Sequence, residues 1–397
     1  MSEAAMQQCD VAVVGAGVVG SCAALALAKL PVNVVLIEAR EATAVHSQSG
    51  FDPRVMALNS HAQQLLDQLG VWQAIGSQHG TPYQQMRVWD GDGSGKIAFS
   101  ASSRGTLGAI VEQQPLLTAL QQQLEHAGVT IERPAAVVSE HRKDGGMVLE
   151  LSSGRQLSAQ LVVAADGAQS PLRERLGFAT RSWSYGQDAI ITTVRTERPH
   201  QSIAYQRFTA HGPLALLPLG GDGRYCSLVW SQTSSEAEQL MALDEEQFCR
   251  QLSYASEAVL GCIEGCDQRY RVPLTQRHAV DYIQANVALI GDAAHAIHPL
   301  AGQGVNLGLK DVAVLAEVLA SAVQVAGGNS LLGDTALLGR YQRRRKPDNL
   351  ATMAAMEVLK QLFASRTSLL RLARNAGLNW FDQQAQLKRW IADAAAG

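Results

Sequence analysis

Three glycines near the N-terminus have the spacing of a phosphate-binding turn. Gly15, Gly17 and Gly20 follow an apolar strand at 10–14 in the order G-x-G-x-x-G and open a helical run. A second apolar strand ends at Glu38, about 20 residues beyond the glycines, where a carboxylate accepts hydrogen bonds from a ribose. Strand, glycines, helix, strand and acid together predict a dinucleotide site. The pattern alone does not separate FAD from NAD.

A second stretch whose residues could bind a ligand runs from 287 to 311, with the sequence VALIGDAAHAIHPLAGQGVNLGLKD. Its apolar strand ends at Asp292, and open α/β sheets bind ligands at the carboxyl ends of their strands. An irregular turn and a helix expected over 305–325 follow, and a helix start directs free N–H groups and positive dipole at a ligand. The residues expected to face that ligand are Pro299, Gly302, Gly304, Val305 and Asn306. Taken singly, these glycines and the proline are equally typical of an ordinary turn.

A third carboxylate follows a buried strand at 161–165. Asp166 and Gly167 end this strand, and Ser170 and Arg173 come next. An Asp-Gly pair is also common in plain turns, so this motif gains weight only beside the other two.

The three motifs together resemble those of the flavin-dependent aromatic-ring hydroxylases. The quoted parts are GDAAH, HPLAGQGVNLGLKD and the ADG that precedes Ser170 and Arg173. The run from His298 to Asp311 resembles the ubiquinone-biosynthesis branch of that family, and the segments at 195–200 and 212–219 are most similar to its 2-polyprenylphenol hydroxylases. The resemblance covers residues 11–377.

This resemblance implies bound FAD, NAD(P)H as a transient reductant and O2 as co-substrate. The chain shows no second G-x-G-x-x-G, which agrees with a reductant that visits the FAD domain and leaves. The implied reaction hydroxylates the aromatic ring of a polyprenylated phenol in ubiquinone biosynthesis, through a flavin C4a-hydroperoxide. Arg54 is implied to contact the flavin, Gln113 the ribityl chain, and Asp166 both FAD and the nicotinamide cofactor.

The expected fold class is α/β, like that of para-hydroxybenzoate hydroxylase. A Rossmann-like FAD-binding domain is interleaved with a β-rich substrate domain, and C-terminal helices follow. The predicted FAD-binding segments are 1–75, 107–178 and 277–334, the substrate-domain segments are 76–106 and 179–276, and the helical region is 335–397. Phe208, Leu216 and Pro218 lie in strands similar to the family's substrate side and are expected to line the aromatic pocket, although each taken singly fits a core position.

The sequence shows no confident catalytic residue. No Ser-His-Asp or paired-carboxylate constellation is present, and His295 and His298 are the candidates for proton transfer. Satisfying backbone groups in the turn is the alternative role for both histidines. No metal is expected, because Cys262 and Cys266 form the only close cysteine pair and lack a second Cys or His pair at zinc-site spacing.

Composition limits the classes of function. The chain has 397 residues, 47% of them hydrophobic and 17% charged, with a net charge of -3. These values indicate a globular protein without a nucleic-acid partner. No signal peptide and no transmembrane helix are expected, which predicts a cytoplasmic protein.

The C-terminal region is basic, with Arg343, Arg344, Arg345 and Lys346 in one run. A solvated face is the plainest interpretation of such a run, and peripheral membrane contact or an acidic partner are the alternatives. The sequence leaves open whether the chain forms a homo-oligomer or joins a quinone-biosynthesis complex.

Three other functions remain compatible with the motifs. The enzyme could hydroxylate another ubiquinone-ring position or another phenol. It could be a flavin dehydrogenase or oxidase that inserts no oxygen. It could also be a structural flavoprotein of a quinone-synthesis complex.

Overall fold

The computed structural model describes residues 6–41, 47–101, 105–297, 303–324, 328–364 and 367–384. Within these ranges the strands are β1 (Gln7–Val14), β2 (Val34–Ile37), β3 (Val55–Leu58), β4 (Gly80–Tyr83), β5 (Gln85–Asp90), β6 (Lys96–Ser100), β7 (Gly108–Glu112), β8 (Thr130–Glu132), β9 (Val137–Lys143), β10 (Gly146–Leu151), β11 (Gln156–Ala164), β12 (Thr180–Thr196), β13 (Ile203–Thr209), β14 (Gly212–Pro218), β15 (Tyr225–Thr233), β16 (Ile263–Cys266), β17 (Tyr270–Ala279), β18 (Ile283–Gln284), β19 (Val287–Leu289) and β20 (His295–Ala296).

The helices in the same ranges are α1 (Val18–Leu27), α2 (Ser60–Gln68), α3 (Trp72–His79), α4 (Gln113–His126), α5 (Pro171–Arg175), α6 (Ser234–Ala242), α7 (Glu245–Ala255), α8 (Gln303–Val323), α9 (Thr335–Ala364) and α10 (Ser368–Gln383). Short 3-10 turns occur at Gly291–Ala293 and Gly328–Leu331. No helix of these ranges is long and apolar enough to cross a membrane.

The first sheet carries the nucleotide-binding half. Its main order is β18-β19-β11-β1-β2-β8, and β1 runs parallel to both β2 and β11, as β11 does to β19. Residues 11–14 of β1 are all buried, as expected for a parallel strand covered on both faces. Parallel strands end at the same edge, so the residues that follow β1, β2, β11 and β19 are brought together there.

The second sheet is mostly antiparallel and has the main order β20-β17-β12-β15-β14-β13-β5-β6. Helices α6 and α7 cover one of its faces, where Phe248 and Trp230 pack in a hydrophobic cluster. Strand β20 comes from the stretch at 287–311 and pairs with β17, so this stretch joins the two sheets. A small third sheet, β3-β7-β4, lies between segments of both.

The C-terminal helices pack on the second sheet as well. Phe363 of α9 stacks on Phe208 of β13 with ring centroids 4.1 Å apart. Arg374 of α10 is buried and pairs with Asp90 of β5 at 2.6 Å. The predicted α/β architecture with interleaved halves and C-terminal helices is therefore confirmed.

Helix α8 begins earlier than the sequence suggested. Its first residue is Gln303, so Gly304 and Val305 lie in the first turn instead of before it. Gly304 does not adopt a positive φ, and a helical conformation is open to it as to any residue.

Candidate active site

The three glycines of the N-terminal turn have three different environments. Gly15 adopts a φ of +104°, and a Cβ there would lie 2.4 Å from the Ala165 carbonyl oxygen. A Cβ on Gly20 would lie 1.9 Å from the Gly15 carbonyl oxygen, so this glycine permits close packing of α1 on the turn. A Cβ on Gly17 would meet no atom of the described residues within 4 Å. Gly17 lies at the start of α1, where the sequence predicts the pyrophosphate.

Glu38 lies at the end of β2, next to this turn. Its Oε2 accepts a hydrogen bond from the Ala16 N–H at 2.8 Å, and its Oε1 accepts one from the Arg40 N–H at 2.9 Å. The half-buried carboxylate is thus fixed at the edge where an adenosine ribose is expected.

Asp166 follows β11 at the same edge. Its Oδ2 accepts a hydrogen bond from the Leu172 N–H at 3.1 Å, whereas its Oδ1 is buried and has no hydrogen-bond partner among the described residues. Burial raises the pKa of Asp166, against the opposing effect of hydrogen bonds from Ser170 and Leu172. A buried acceptor without a donor is costly, and a ribose hydroxyl or an amide of a cofactor would satisfy it.

Arg173, the arginine of the third motif, connects two turns of the backbone. The side chain is buried, and its guanidinium donates to the carbonyl oxygens of Ala168 and Ala293, both at 2.9 Å. Arg173 therefore ties the turn after Asp166 to the 3-10 turn that contains Asp292.

Asp292 lies at the end of β19 with its side chain accessible to solvent. Even so, desolvation by the surrounding protein raises its pKa, and the charge of His295 only partly offsets this. Both observations fit a carboxylate inside a cleft, which solvent reaches from one side.

The cleft floor depends on close approach of two helices. Gly291 adopts a φ of +57°, and a Cβ there would lie 3.0 Å from Val19 of α1. A Cβ on Gly308 of α8 would lie 2.6 Å from the same valine. Helices α1 and α8 therefore pack closely against Gly291, the residue before Asp292.

Arg54 and Gln113 are brought together although they are 59 positions apart in the chain. The Gln113 N–H donates to the Arg54 carbonyl oxygen at 2.9 Å. Asp52 supports both sides, since its carboxylate accepts from the N–H groups of Arg54 and Gln114 at 2.9 and 2.8 Å. Buried Glu112 in turn accepts from the Asp52 N–H at 2.7 Å. Asp52 and Glu112 are residues that sequence reasoning missed.

Asn306 connects the start of α8 to the same segment. Its side chain accepts from the Asn59 N–H at 3.1 Å and donates to the Ala57 carbonyl oxygen at 2.8 Å. Of the described residues, Ile297 alone would come within 4 Å of a Cβ on Gly304, at 3.9 Å. His298, Pro299 and Gly302 lie outside the described residues, so their predicted roles stay predictions.

His295 is enclosed in the protein and does not face a cleft. The residue is fully buried, and its Nε2 lies 2.5 Å from Oδ2 of Asp311. The same oxygen accepts from the Gly291 N–H at 3.0 Å. The imidazole of His295 thus pairs with a buried carboxylate and not with a backbone group of the turn, and its Nδ1 has no hydrogen-bond partner among the described residues. Its two predicted roles stay predictions.

Asp311 is the centre of a buried polar network that the sequence did not reveal. Its Oδ1 accepts from Arg345 Nε at 2.8 Å and from Asn349 Nδ2 at 3.3 Å. Burial alone would raise the pKa of Asp311, but His295 and Arg345 outweigh burial and hold this pKa below its ordinary value. The network joins the Gly291–Asp292 turn, α8 and α9 into one support for the cleft.

This network corrects the interpretation of one residue of the basic run, Arg345. Arg345 is only 2% exposed, so it is not part of a solvated or membrane-facing surface. Arg344 pairs with Glu317 at 2.8 Å and Lys346 with Asp281 at 3.6 Å. Of the four basic residues, one is therefore internal and two already have carboxylate partners.

The three predicted pocket residues do not share a face of the second sheet. Leu216 is fully buried in the cluster beneath α6 and α7, and Pro218 lies opposite Cys226 of the same cluster. Phe208 packs on the other face, against Phe363. The structure therefore gives no support for Leu216 and Pro218 as pocket residues, because directly paired residues of neighbouring strands lie on the same face.

Replacing Asp292 by alanine should weaken cofactor retention more than folding. The accessible carboxylate has room to accept a hydrogen bond from a ribose, and losing a charge-assisted bond costs about 1.5–3 kcal/mol. The cofactor dissociation constant, measured by fluorescence titration, should rise and excess cofactor should restore binding. Equal losses of thermal stability with and without cofactor would instead assign Asp292 a structural role.

Comparisons with known proteins agree with this geometry. A family described as an FAD binding domain matches residues 8–354. Ubiquinone hydroxylase UbiL of Rhodospirillum rubrum is 37% identical over 390 residues, which cover 98% of this chain and 89% of the relative. The 3-demethoxyubiquinol 3-hydroxylase of Escherichia coli is 35% identical over 394 residues, which cover 98% of this chain and 99% of the relative.

Solved structures show the same fold. The p-nitrophenol 4-monooxygenase PnpA of Pseudomonas putida DLL-E4 superposes with a TM-score of 0.79 at 21% identity, covering 99% of both chains. PqsL of Pseudomonas aeruginosa, a probable FAD-dependent monooxygenase, gives a TM-score of 0.75 at 24% identity and covers 94% of this chain and 100% of its own.

Two features of this edge of the first sheet suit a dinucleotide such as FAD. Among the described residues, no atom lies within 4 Å of a Cβ on Gly17, and the buried Oδ1 of Asp166 has no hydrogen-bond donor. The chain belongs to the ubiquinone-biosynthesis branch of the FAD-dependent aromatic-ring hydroxylases, a family of monooxygenases.

Proposed function

We propose that this enzyme hydroxylates the aromatic ring of a polyprenylated phenol in ubiquinone biosynthesis, with NAD(P)H as reductant and O2 as oxygen source. The observation that carries the proposal is the match over 98% of the chain to two relatives named for ubiquinone-ring hydroxylation. Bound FAD would supply the oxygen-activating redox chemistry.

The protein's own residues would hold and orient the reactants. The N–H groups at the start of α1 would bind the pyrophosphate beside Gly17, and Glu38 would bind the adenosine ribose. Asp292, Arg54 and Gln113 would hold the flavin half, with Asp166 as the acceptor shared with the visiting reductant. The buried Asp311 network would keep the Asp292 turn fixed without touching substrate.

An accessible apolar face of the second sheet is the best surface for the phenol ring. Ile191, Val229 and Ala215 lie directly opposite one another on β12, β15 and β14, and all three are partly exposed. Leu217 lies on the same face two positions along β14. Tyr225 of this face contacts Phe51, which precedes the Arg54 segment, with ring centroids 5.2 Å apart. This contact brings one end of the face next to the segment that contains Arg54, the proposed flavin contact.

Leu217→Ala and Leu216→Ala form a matched pair that tests this surface. Leu217→Ala should raise KM for a phenolic substrate severalfold with a small loss of stability, because its side chain is partly exposed. Leu216→Ala should cost about 2–5 kcal/mol of stability, as expected for a buried leucine, with little change in KM at a temperature where it stays folded. Steady-state kinetics and urea unfolding separate the two. Raised KM in the Leu216 variant alone would place the ring on the other face.

Peripheral membrane contact is the second part of the proposal, since a polyprenylated substrate resides in lipid. The support now comes from apolar side chains and not from the basic run. Val358 of α9 is 64% exposed and Trp380 of α10 is 59% exposed. Exposed tryptophan and aliphatic side chains on helices favour the boundary between lipid headgroups and acyl chains.

The double variant Val358→Ser and Trp380→Ser should reduce binding to phospholipid vesicles severalfold and leave FAD content unchanged. Burying each side chain contributes on the order of 1–3 kcal/mol, so sedimentation with vesicles detects its loss. Tyr254→Ser is the control, because Tyr254 is more exposed but lies on α7. Equal binding by the double variant and the wild type would remove this proposal.

Labelled O2 tests the reaction itself. Incorporation of one labelled oxygen into a short-chain phenol is expected, whereas oxidation without label would identify a dehydrogenase or oxidase.

A structural flavoprotein would show no stimulation of flavin reduction by NADPH when phenol is added. The quinone precursor that accumulates in a deletion strain would identify the ring position.

A further inference from the structure

Three side chains that can bind a metal meet between α7 and β16, outside the FAD cleft. Glu245 is the first residue of α7, and Cys249 lies one helical turn later on the same face. Cys266 is the last residue of β16. One carboxylate oxygen of Glu245 and the two sulfur atoms all lie within 4.8 Å of one another.

Backbone contacts hold this group in place. Oε1 of Glu245 accepts a hydrogen bond from the Cys266 N–H at 3.2 Å. A Cβ on Gly265 would lie 3.2 Å from the same oxygen, so a glycine there leaves the carboxylate room to approach. Cys249 is buried and Cys266 is half-buried, so both sulfur atoms are largely shielded from solvent.

The local charges favour a divalent cation. Two thiolates and the Glu245 carboxylate would carry three negative charges. Glu246, Glu264 and Arg250 line the same cavity. The carboxylates and thiolates therefore outnumber the positive charge at this cavity, which favours a cation.

Access to the group is open. A solvent-connected cavity of about 520 Å³ is lined by Glu245, Cys249 and Cys262, among others. The cavity provides an entry path and space for a coordinated water. Cys262 lies at this cavity but is not among the three converging side chains.

We propose that Glu245, Cys249 and Cys266 bind a thiophilic divalent cation such as Zn²⁺, with water as the fourth ligand. Two cysteines and a carboxylate suit the tetrahedral preference of Zn²⁺ for sulfur, nitrogen and oxygen ligands. Binding displaces the thiol protons into solvent and ties the start of α7 to β16. The sequence predicted no metal, because Cys262 and Cys266 lack a second Cys or His pair. The proposal departs from that prediction, because folding brings Cys266 together with Cys249 and Glu245.

The test uses reduced, metal-stripped holoenzyme without an affinity tag. Titration with Zn²⁺ against a chromophoric chelator should show one tightly bound ion per chain, with proton release. Co²⁺ should give thiolate charge-transfer and d–d absorption, the latter to the red of the flavin bands. Cys249→Ser and Cys266→Ser should weaken Zn²⁺ binding by more than about tenfold, a loss seen even for outer partners of metal sites.

Matched variants keep the proposal falsifiable. Glu245 is exposed, so Glu245→Gln should weaken Zn²⁺ binding without disturbing the core. Cys262→Ser, at the same cavity, should bind Zn²⁺ as the wild type does. Unchanged affinity in the Cys249, Cys266 and Glu245 variants would overturn the proposal. A Cys249–Cys266 disulfide in the protein as isolated, detected by mass spectrometry without reductant, would also overturn it and identify a redox pair instead.

Discussion

Replacing Arg345 by glutamine should lower the free energy of unfolding by about 3–5 kcal/mol, the cost typical of removing one partner of a buried ion pair. Arg345 is 2% exposed and donates to the fully buried Asp311 at 2.8 Å. Glutamine would leave this carboxylate with less positive charge in a region that water cannot reach. Urea unfolding of the apoprotein measures the loss, which is a large fraction of the 5–15 kcal/mol available to most domains.

Arg343→Gln is the matched control, because Arg343 lies two residues away on the same helix and is exposed. Its effect should stay within about 0.5 kcal/mol, as for most surface substitutions. Similar small effects from both variants would mean that Arg345 is not needed by the fold.

The pH dependence provides a second measurement on the same variant. The pKa of Asp311 is held below its ordinary value, so its pairing contributes stability above the unfolded-state pKa of about 4 and loses it as pH falls through the lower folded pKa. The difference between wild type and Arg345→Gln should therefore be full at neutral pH and shrink in acid. A difference that grows in acid would contradict the assignment of this pair.

The buried role of Arg345 was hidden by its neighbours in sequence. Four consecutive basic residues indicate a solvated surface, and the partner Asp311 lies on another helix. A helical signal was nevertheless present, because Tyr341, Arg345 and Asn349 recur at four-residue spacing and are all buried on one face of α9. Helical periodicity is usually sought among apolar residues, and a pattern made of tyrosine, arginine and asparagine is therefore overlooked.

The nucleotide half could be predicted because its chemistry is local. Gly15, Gly17, Gly20 and Glu38 sit within one βαβ unit, so their spacing along the chain fixes their geometry. Strand β14 shows the opposite case. Its sequence GPLALLP is apolar on both faces, so the alternation of residues does not reveal which face points into the core. Only its pairing with β13 and β15 separates Leu216 from Leu217.

Replacing Gly17 by valine should reduce FAD affinity by at least about tenfold, or 1.4 kcal/mol, while the apoprotein stays folded. A Cβ at Gly17 meets no atom of the described residues within 4 Å, so a branched side chain there would extend into the space proposed for the pyrophosphate. Gly17 is the N-cap of α1, where valine is less favourable than glycine by no more than about 1 kcal/mol. Flavin content after purification and urea unfolding of the apoprotein measure the two effects.

Gly20→Ala is the companion variant that separates binding from folding. Its Cβ would lie 1.9 Å from the Gly15 carbonyl oxygen, so even a methyl group must push α1 away from the turn. We therefore expect Gly20→Ala to destabilise the apoprotein and Gly17→Val to spare it, although both lose FAD. Normal FAD content in Gly17→Val would show that the pyrophosphate does not lie at the start of α1. If Gly17→Val destabilised the apoprotein as much as Gly20→Ala does, the space beside Gly17 would serve the fold and not the cofactor.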